Sequence, residues 1–168
     1  TPRHGERILQ RNIRRGTANL SQGPAMTREE AERAVLVGVE VARDLCAKGV
    51  KLLGTGEMGI GNTTTSSAVA AVFLNKEPEV MTGRGAGLSS EGLVRKIHAI
   101  ERGIAVNQPD PSDPLDVLHK VGGLDLAGLA GVFLGGAMCH VPVLVDGFIS
   151  SVAALIAARI CPICKDYM

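Results

Sequence analysis

One stretch constrains the fold more than any other: Leu52-Leu53-Gly54-Thr55-Gly56-Glu57-Met58-Gly59-Ile60-Gly61-Asn62-Thr63-Thr64-Thr65. The apolar run from Val50 to Leu53 reads as a buried strand. Four glycines then fall within eight residues, and a run of hydroxyl side chains opens an alanine-rich helix expected over about 62–75. Strand, glycine loop and helix start in that order make an anion site. Glycines let the backbone approach closely, and the first N–H groups of the helix have no partner within it. Asn62, Thr63 or Thr64 can act as N-cap, and the spare hydroxyls suit phosphate or ribose oxygens. The loop is therefore expected to hold the phosphate of a nucleotide.

Two familiar motifs nearly fit this stretch. Gly54 to Gly59 spells the dinucleotide pattern G-x-G-x-x-G, which also wants an acid about 20 residues on at the end of the next strand. Glu77 and Glu79 have that spacing but precede the apolar pair Val80-Met81. Glu57 would also bring negative charge toward a pyrophosphate. Gly56 to Thr63 imitates the P-loop, yet Asn62 stands where its lysine belongs, which leaves a γ-phosphate without its cation.

Composition narrows the classes further. With 18 basic and 17 acidic residues the net charge is +1, and aromatics make up 2%. That balance gives no electrostatic case for nucleic acid or a membrane surface, and base-stacking platforms are scarce. No apolar run approaches the ~20 residues needed to span a bilayer. The expectation is one soluble, cytoplasmic domain without nucleic-acid or membrane partners. Cys46 and Cys139 read as small buried hydrophobes. Cys161-Pro162-Ile163-Cys164 is a lone C-x-x-C: a metal or redox role would want a second pair or nearby histidines, and helix-end packing is the alternative. No metal or cofactor is expected. The histidines at 4, 98, 119 and 140 share no spacing and read as structural.

Residues 1–26 form a basic arm, or part of a small helical domain, with Arg3, Arg7, Arg11, Arg14 and Arg15 on a solvated face or at a subunit contact. Residues 27–168 read as an α/β nucleotide-binding core. Thr27-Arg28-Glu29-Glu30 is a capping box ahead of a helix that runs to Lys48 and ends at Gly49. A short strand is expected near Val80-Met81, then a second glycine loop, Gly83 to Gly87. Ser89 or Ser90 can cap a helix over about 91–106, with Leu93, Ile97, Ile100 and Ile104 inward and Lys96 off the centre of that stripe. A short helix spans 115–121. Residues 124–138 are apolar on every side, which suits a helix sandwiched against a sheet or a subunit interface. Val141 to Val145 is a second buried strand. Asp146-Gly147 leads into a helix over about 149–160, and Asp146 either caps that helix or faces a ligand at the strand's carboxyl end. This alternation predicts an α/β fold with a parallel sheet covered by helices on both faces.

The loop also carries a family resemblance. GEMGIGNTTTSSAV at 56–69 resembles the signature of nicotinate-nucleotide–dimethylbenzimidazole phosphoribosyltransferases. GTANL at 16–20, AMTREEA at 25–31, GRGAGLSSEGLVRKI at 83–97, DPLDVLHKVGGLDLAGLAGVFLGGA at 113–137 and VPVLVDGFISSVAAL at 141–155 are similar too. The likeness covers nearly the whole chain. It implies a three-layer, Rossmann-like sheet, a homodimer, and transfer of phosphoribose from nicotinate mononucleotide to 5,6-dimethylbenzimidazole or a related azole. Such chemistry needs a phosphate anchor, a negative group beside the sugar cation and a base for the azole proton.

Carried onto this sequence, the resemblance makes Met58, Gly59, Ile60, Gly61, Asn62, Thr63 and Thr64 the phosphate cradle, with Gly85 and Gly87 in the second loop. Glu57, beside the ribose, is the catalytic carboxylate that stabilises the developing positive charge or helps remove a proton. Lys96, a surface residue on pattern alone, reaches the substrate and pairs with Glu57 or the phosphate. Asp146, with Gly147, takes ribose hydroxyls. Family members run further at both ends and carry a glutamate in a G-E-G-type motif near their C-terminus. The expectation is therefore an internal stretch or shortened member that binds nucleotide with weak or no turnover; a non-catalytic or partner-completed phosphate-binding module is the alternative.

Overall fold

The computed structural model describes residues 8–168. Arg3, His4 and Arg7 lie outside the described residues, and the expectations that fall on them go untested.

Helix α1 (Arg28–Ala47) starts at the capping box, with the Thr27 hydroxyl accepting from the Glu30 N–H and the Glu30 carboxylate accepting from the Thr27 N–H. Ala31, Ala34, Val35, Gly38 and Ala42 make its buried face. Strand β1 (Leu53–Gly54) leads through the glycine loop into α2 (Asn62–Leu74). A single helical turn, α3 (Pro78–Met81), stands where a strand was expected. Pro78 at its first position has its φ pre-set for a helix and no N–H to give a ladder, so the apolar Val80-Met81 pair ends a turn instead.

Helix α4 (Ser90–Asn107) is capped by the Ser89 hydroxyl, which accepts from the Gly92 N–H. Its buried face is Gly92, Lys96, Ile100, Gly103 and Asn107, so the stripe is turned from the expected one and Lys96 lies on it. The two glycines explain the turn. A Cβ on Gly103 would come within 1.9 Å of the Leu20 side chain, so the neighbouring segment seats on the glycine face rather than on Leu93 and Ile97. Helices α5 (Pro114–Val121) and α6 (Leu124–Met138), strand β2 (Val143–Leu144), helix α7 (Gly147–Ile160) and a 3₁₀ turn (Pro162–Tyr167) complete the chain.

The two strands pair in parallel, Leu53 with Val143 and Gly54 with Leu144, and the Thr55 hydroxyl extends the join by donating to the Leu144 carbonyl at 2.8 Å. The fold is thus α/β, mostly helical, with a small parallel sheet. Among the described residues that sheet has two strands of two residues each, shorter than the runs at 50–53 and 141–145 predict. Leu52, Leu144 and Val145 are exposed.

The apolar α6 is the centre of the molecule. It packs on α1, α7, β2 and the 3₁₀ turn, which accounts for an apolar side chain on every face. Residue numbers rise together across the α1–α6 contact: Gly128 lies by Ala34, Gly131 by Val35 and Gly38, and Gly135 by Val39 and Ala42. The helices therefore run parallel, their backbones brought together by glycine. Leu20, Ala25 and Met26, from the segment before α1, belong to the same core, and the Ala25 and Met26 N–H groups donate to the Lys120 and His119 carbonyls.

Candidate functional site

Gly61, with φ of +88°, is the residue that ends the loop and caps α2; no side chain caps it. This corrects the expectation that Asn62, Thr63 or Thr64 would do so. A positive φ favours glycine, and it drops the chain directly into the first turn of α2. Asn62 is already helical, and its amide turns back to hydrogen-bond the Glu57 carboxylate. The side chains of Thr65 and Ser66 donate to the Asn62 carbonyl, both at 2.9 Å. The helix N-terminus is left open to an external acceptor. Met58 and Ile60 at the loop's tip are fully exposed, at 98% and 104%.

Two clefts flank this loop, and Ile60 and Gly61 belong to both. The first, about 470 Å³, is walled by Thr63 and Thr64 of α2, by Gly85 and Gly87 of the second glycine loop, and by α4. Gly85 and Gly87 have φ of +58° and +100°, the left-handed backbone that lets the loop curl. Among the described residues three cations line this cleft, Arg84, Arg95 and Lys96, and no acid does. Arg84 is held by the Leu88 carbonyl and the Ser90 hydroxyl.

Lys96 is 8% exposed. Its Nζ donates to the Thr63 hydroxyl at 2.8 Å and to the Gly83 carbonyl at 3.0 Å, tying α4 to the start of α2 and to the second loop. Burial pushes its pKa down from 10.5. Among the described residues it has no carboxylate partner, so the expected pair with Glu57 does not form.

The second cleft, about 380 Å³, has the opposite sign. Glu57, Gly59, Asn62 and Thr65 meet Asp125 from the first turn of α6 and Gly16-Thr17 from the preceding segment. Burial and then the charge of Asp125 raise the Glu57 pKa above 4.5, against the lowering effect of the Asn62 amide and the Gly59 N–H. Among the described residues Asp125 Oδ2 is buried without a hydrogen-bond partner.

The structure therefore brings Thr63, Thr64, Gly85, Gly87 and Lys96 to one side of the loop, with Ile60 and Gly61 shared by both sides. Glu57, Gly59 and Asn62 lie on the other. Met58 lines none of the clefts described. Asp146 is exposed at the start of α7, its carboxylate makes no cap hydrogen bond, and neither it nor Gly147 lines either cleft. Asp125 is the residue sequence reasoning missed. In the run GGLDLAGLAG it is the single acid of a helix otherwise built of apolar residues and glycine, and that isolation was the available signal. Arg84 and Arg95 were missed too, since nothing in the run GRGAGLSSEGLVRKI sets them apart from other arginines.

Fold and loop are those of an α/β protein whose glycine turn opens a helix N-terminus between a cationic and an acidic cleft. The chain belongs to the phosphoribosyltransferase family, whose profile matches residues 2–168. Curated relatives from Acetivibrio thermocellus and Roseiflexus castenholzii are 56% and 51% identical over 163 and 167 residues, 97% and 99% of this chain. Both are named nicotinate-nucleotide–dimethylbenzimidazole phosphoribosyltransferase. The chain spans about half the length of these relatives, 46% and 47%. A crystal structure of CobT from Thermus thermophilus superposes with a TM-score of 0.92 at 46% identity, over 99% of this chain and 50% of that one. A second structure, titled as the phosphoribosyltransferase of the same name from that organism, gives 0.89 at 45%, over 99% of this chain and 48% of that one.

Proposed function

We propose that this chain carries the phosphoribosyl-binding half of an enzyme that moves phosphoribose from nicotinate mononucleotide to 5,6-dimethylbenzimidazole, giving α-ribazole 5′-phosphate and nicotinate. The observation that carries the reading is the reversal of charge across the glycine loop. A phosphate ester suits the cationic side, where Lys96, Arg84 and Arg95 face the hydroxyls of Thr63 and Thr64 and the α2 N-terminus. The acidic side suits what a phosphoribosyl transfer creates at the other end of the sugar. As the bond from C1′ to the nicotinate nitrogen breaks, its electron pair leaves with nicotinate and C1′ gains positive charge. The unprotonated azole nitrogen bonds C1′, and the proton on the ring's other nitrogen passes to a base.

Glu57, raised in proton affinity and held by Asn62, is the group to stabilise that charge. Lys96, already held by Thr63, is the phosphate anchor. The substrates agree with the names of the relatives. The finer architecture belongs to the same proposal: a larger three-layer, Rossmann-like sheet of which β1 and β2 are part, a homodimer, and a cytoplasmic setting without nucleic-acid or membrane partners. Among the described residues no helix is long and apolar enough to cross a membrane.

Calorimetry with nicotinate mononucleotide, followed by an assay for nicotinate released when dimethylbenzimidazole is added, tests the proposal. Saturable binding is expected, with release in the protein of family length. Binding without release there would favour the non-catalytic module, and no binding to either would overturn both.

A further inference from the structure

The Cys161-Pro162-Ile163-Cys164 motif takes no part in the clefts above. Helix α7 carries the chain over 14 residues from Gly147 to Ile160, a distance of about 20 Å, and Cys161 follows. There the Cys164 N–H donates to the Cys161 carbonyl at 3.0 Å, closing the first turn of the 3₁₀ segment. A turn closed in this way keeps its first and fourth Cα atoms within about 7 Å. The Cys164 thiol also interacts directly with the Cys161 side chain, so the two sulfurs face one another across the turn. A disulfide needs Cα atoms about 4.4–6.8 Å apart, so the two sulfurs can join with little backbone movement. Pro162 at the first position of the turn fixes that geometry. Both thiols are free; Cys161 is half-buried and reachable, whereas Cys164 is 1% exposed.

We propose that Cys161 and Cys164 form a vicinal dithiol that closes reversibly to a disulfide by exchange with a small-molecule disulfide, Cys161 reacting first. The Cys161 thiolate attacks one sulfur of the reagent and expels the other as a thiolate, leaving a mixed disulfide. The Cys164 thiolate then attacks the Cys161 sulfur and expels the second thiolate. The two protons lost by the protein are taken up by the two leaving thiolates, so one reagent disulfide becomes two thiols as the protein disulfide forms. Burial and the neighbouring Cys161 push the Cys164 thiol up to about 11. Once Cys161 is capped its charge is gone, so the resolving thiol becomes more acidic at the step that uses it.

Cys46 and Cys139, at the ends of α1 and α6, are the internal comparison: they too are neighbours, but on separate helices. The test is treatment of the folded protein with oxidised glutathione, with thiol counting and peptide mass mapping. Wild type should lose two thiols, retain no glutathione and give a 161–164 peptide lighter by two hydrogens, all reversed by dithiothreitol. Cys164→Ser should keep glutathione on Cys161, and Cys161→Ser should leave Cys164 unmodified over the same time. Glutathione retained on the wild-type turn, no loss of thiols, or a disulfide mapping to Cys46–Cys139 instead would overturn the proposal. None of these outcomes depends on the phosphoribosyl reading.

Discussion

Lys96 shows how a residue's surroundings exceed its sequence signal. Counted along the helix it falls beside the apolar stripe, where a lysine ordinarily meets solvent. The glycines at 92 and 103 turn α4 so that Lys96 is inside, bonded to Thr63 and Gly83. Lys96→Met keeps the stem and removes the charged donor. A hydrogen bond to a charged group is worth about 1.5–3 kcal/mol, so affinity for nicotinate mononucleotide should fall roughly ten- to a hundredfold by calorimetry. Glu57 offers a test in pH. Its carboxyl binds a proton more readily folded than unfolded, because burial and Asp125 disfavour its charge. The ionised form therefore costs stability at neutral pH, and the cost is relieved as pH falls through the raised value. An NMR titration of the Glu57 carboxyl should have its midpoint above 4.5. Asp125→Asn should move that midpoint down, and Asn62→Ala should move it up. An unchanged midpoint in Asp125→Asn would remove the acidic cleft as an electrostatic unit.

Among the elements, helix α1 was fully legible, because a capping box and a 3.6-residue apolar repeat are both local signals. The loop's place between strand and helix was legible for the same reason, but its capping residue was not. Whether a hydroxyl or a left-handed glycine starts a helix depends on the angle at which the chain enters, and Gly61 sets that here. The α1–α6 contact also escaped the sequence, since several glycines in α6 look alike in the run GLAGVFLGGA. The structure separates them. A Cβ on Gly131 would lie 1.9 Å from the Val35 carbonyl oxygen, whereas one on Gly128 finds its nearest neighbour, the Ala34 carbonyl oxygen, at 3.9 Å. Gly131→Ala must push two helix backbones apart and should cost about 1–3 kcal/mol or more. Gly128→Ala should be neutral, or gain up to about 1 kcal/mol from helix propensity. Urea unfolding of the two variants measures the difference, and equal effects would contradict direct backbone packing.

At the scale of the whole molecule, alternation of apolar runs and amphipathic helices revealed an α/β chain with parallel strands but overstated the sheet. A run such as Val141 to Val145 reports how apolar a segment is, not how many of its residues find a partner, and among the described residues the ladder takes in Val143 and Leu144. The charge reversal was invisible for a related reason. Arg84, Arg95 and Lys96 come from one segment, while Glu57 and Asp125 lie far apart in the chain, and only folding sorts them to opposite sides of Ile60-Gly61. That sorting makes a prediction for the protein as a unit. The α2 N-terminus, the second loop and α4 all contribute to the cationic cleft, so a bound phosphate ester links three elements and should stabilise them together. A ligand at a hundred times its Kd adds about 2.7 kcal/mol to folding, by mass action alone. Nicotinate mononucleotide, and ribose 5-phosphate to a smaller degree, should therefore raise the unfolding temperature in a concentration-dependent way. Nicotinate riboside, which lacks the phosphate, should raise it far less. In Lys96→Met the advantage of the phosphate should shrink, and in Glu57→Gln it should persist, because that residue sits on the other side of the loop. Equal stabilisation by the riboside and the mononucleotide in wild type would show that the cationic cleft does not hold phosphate.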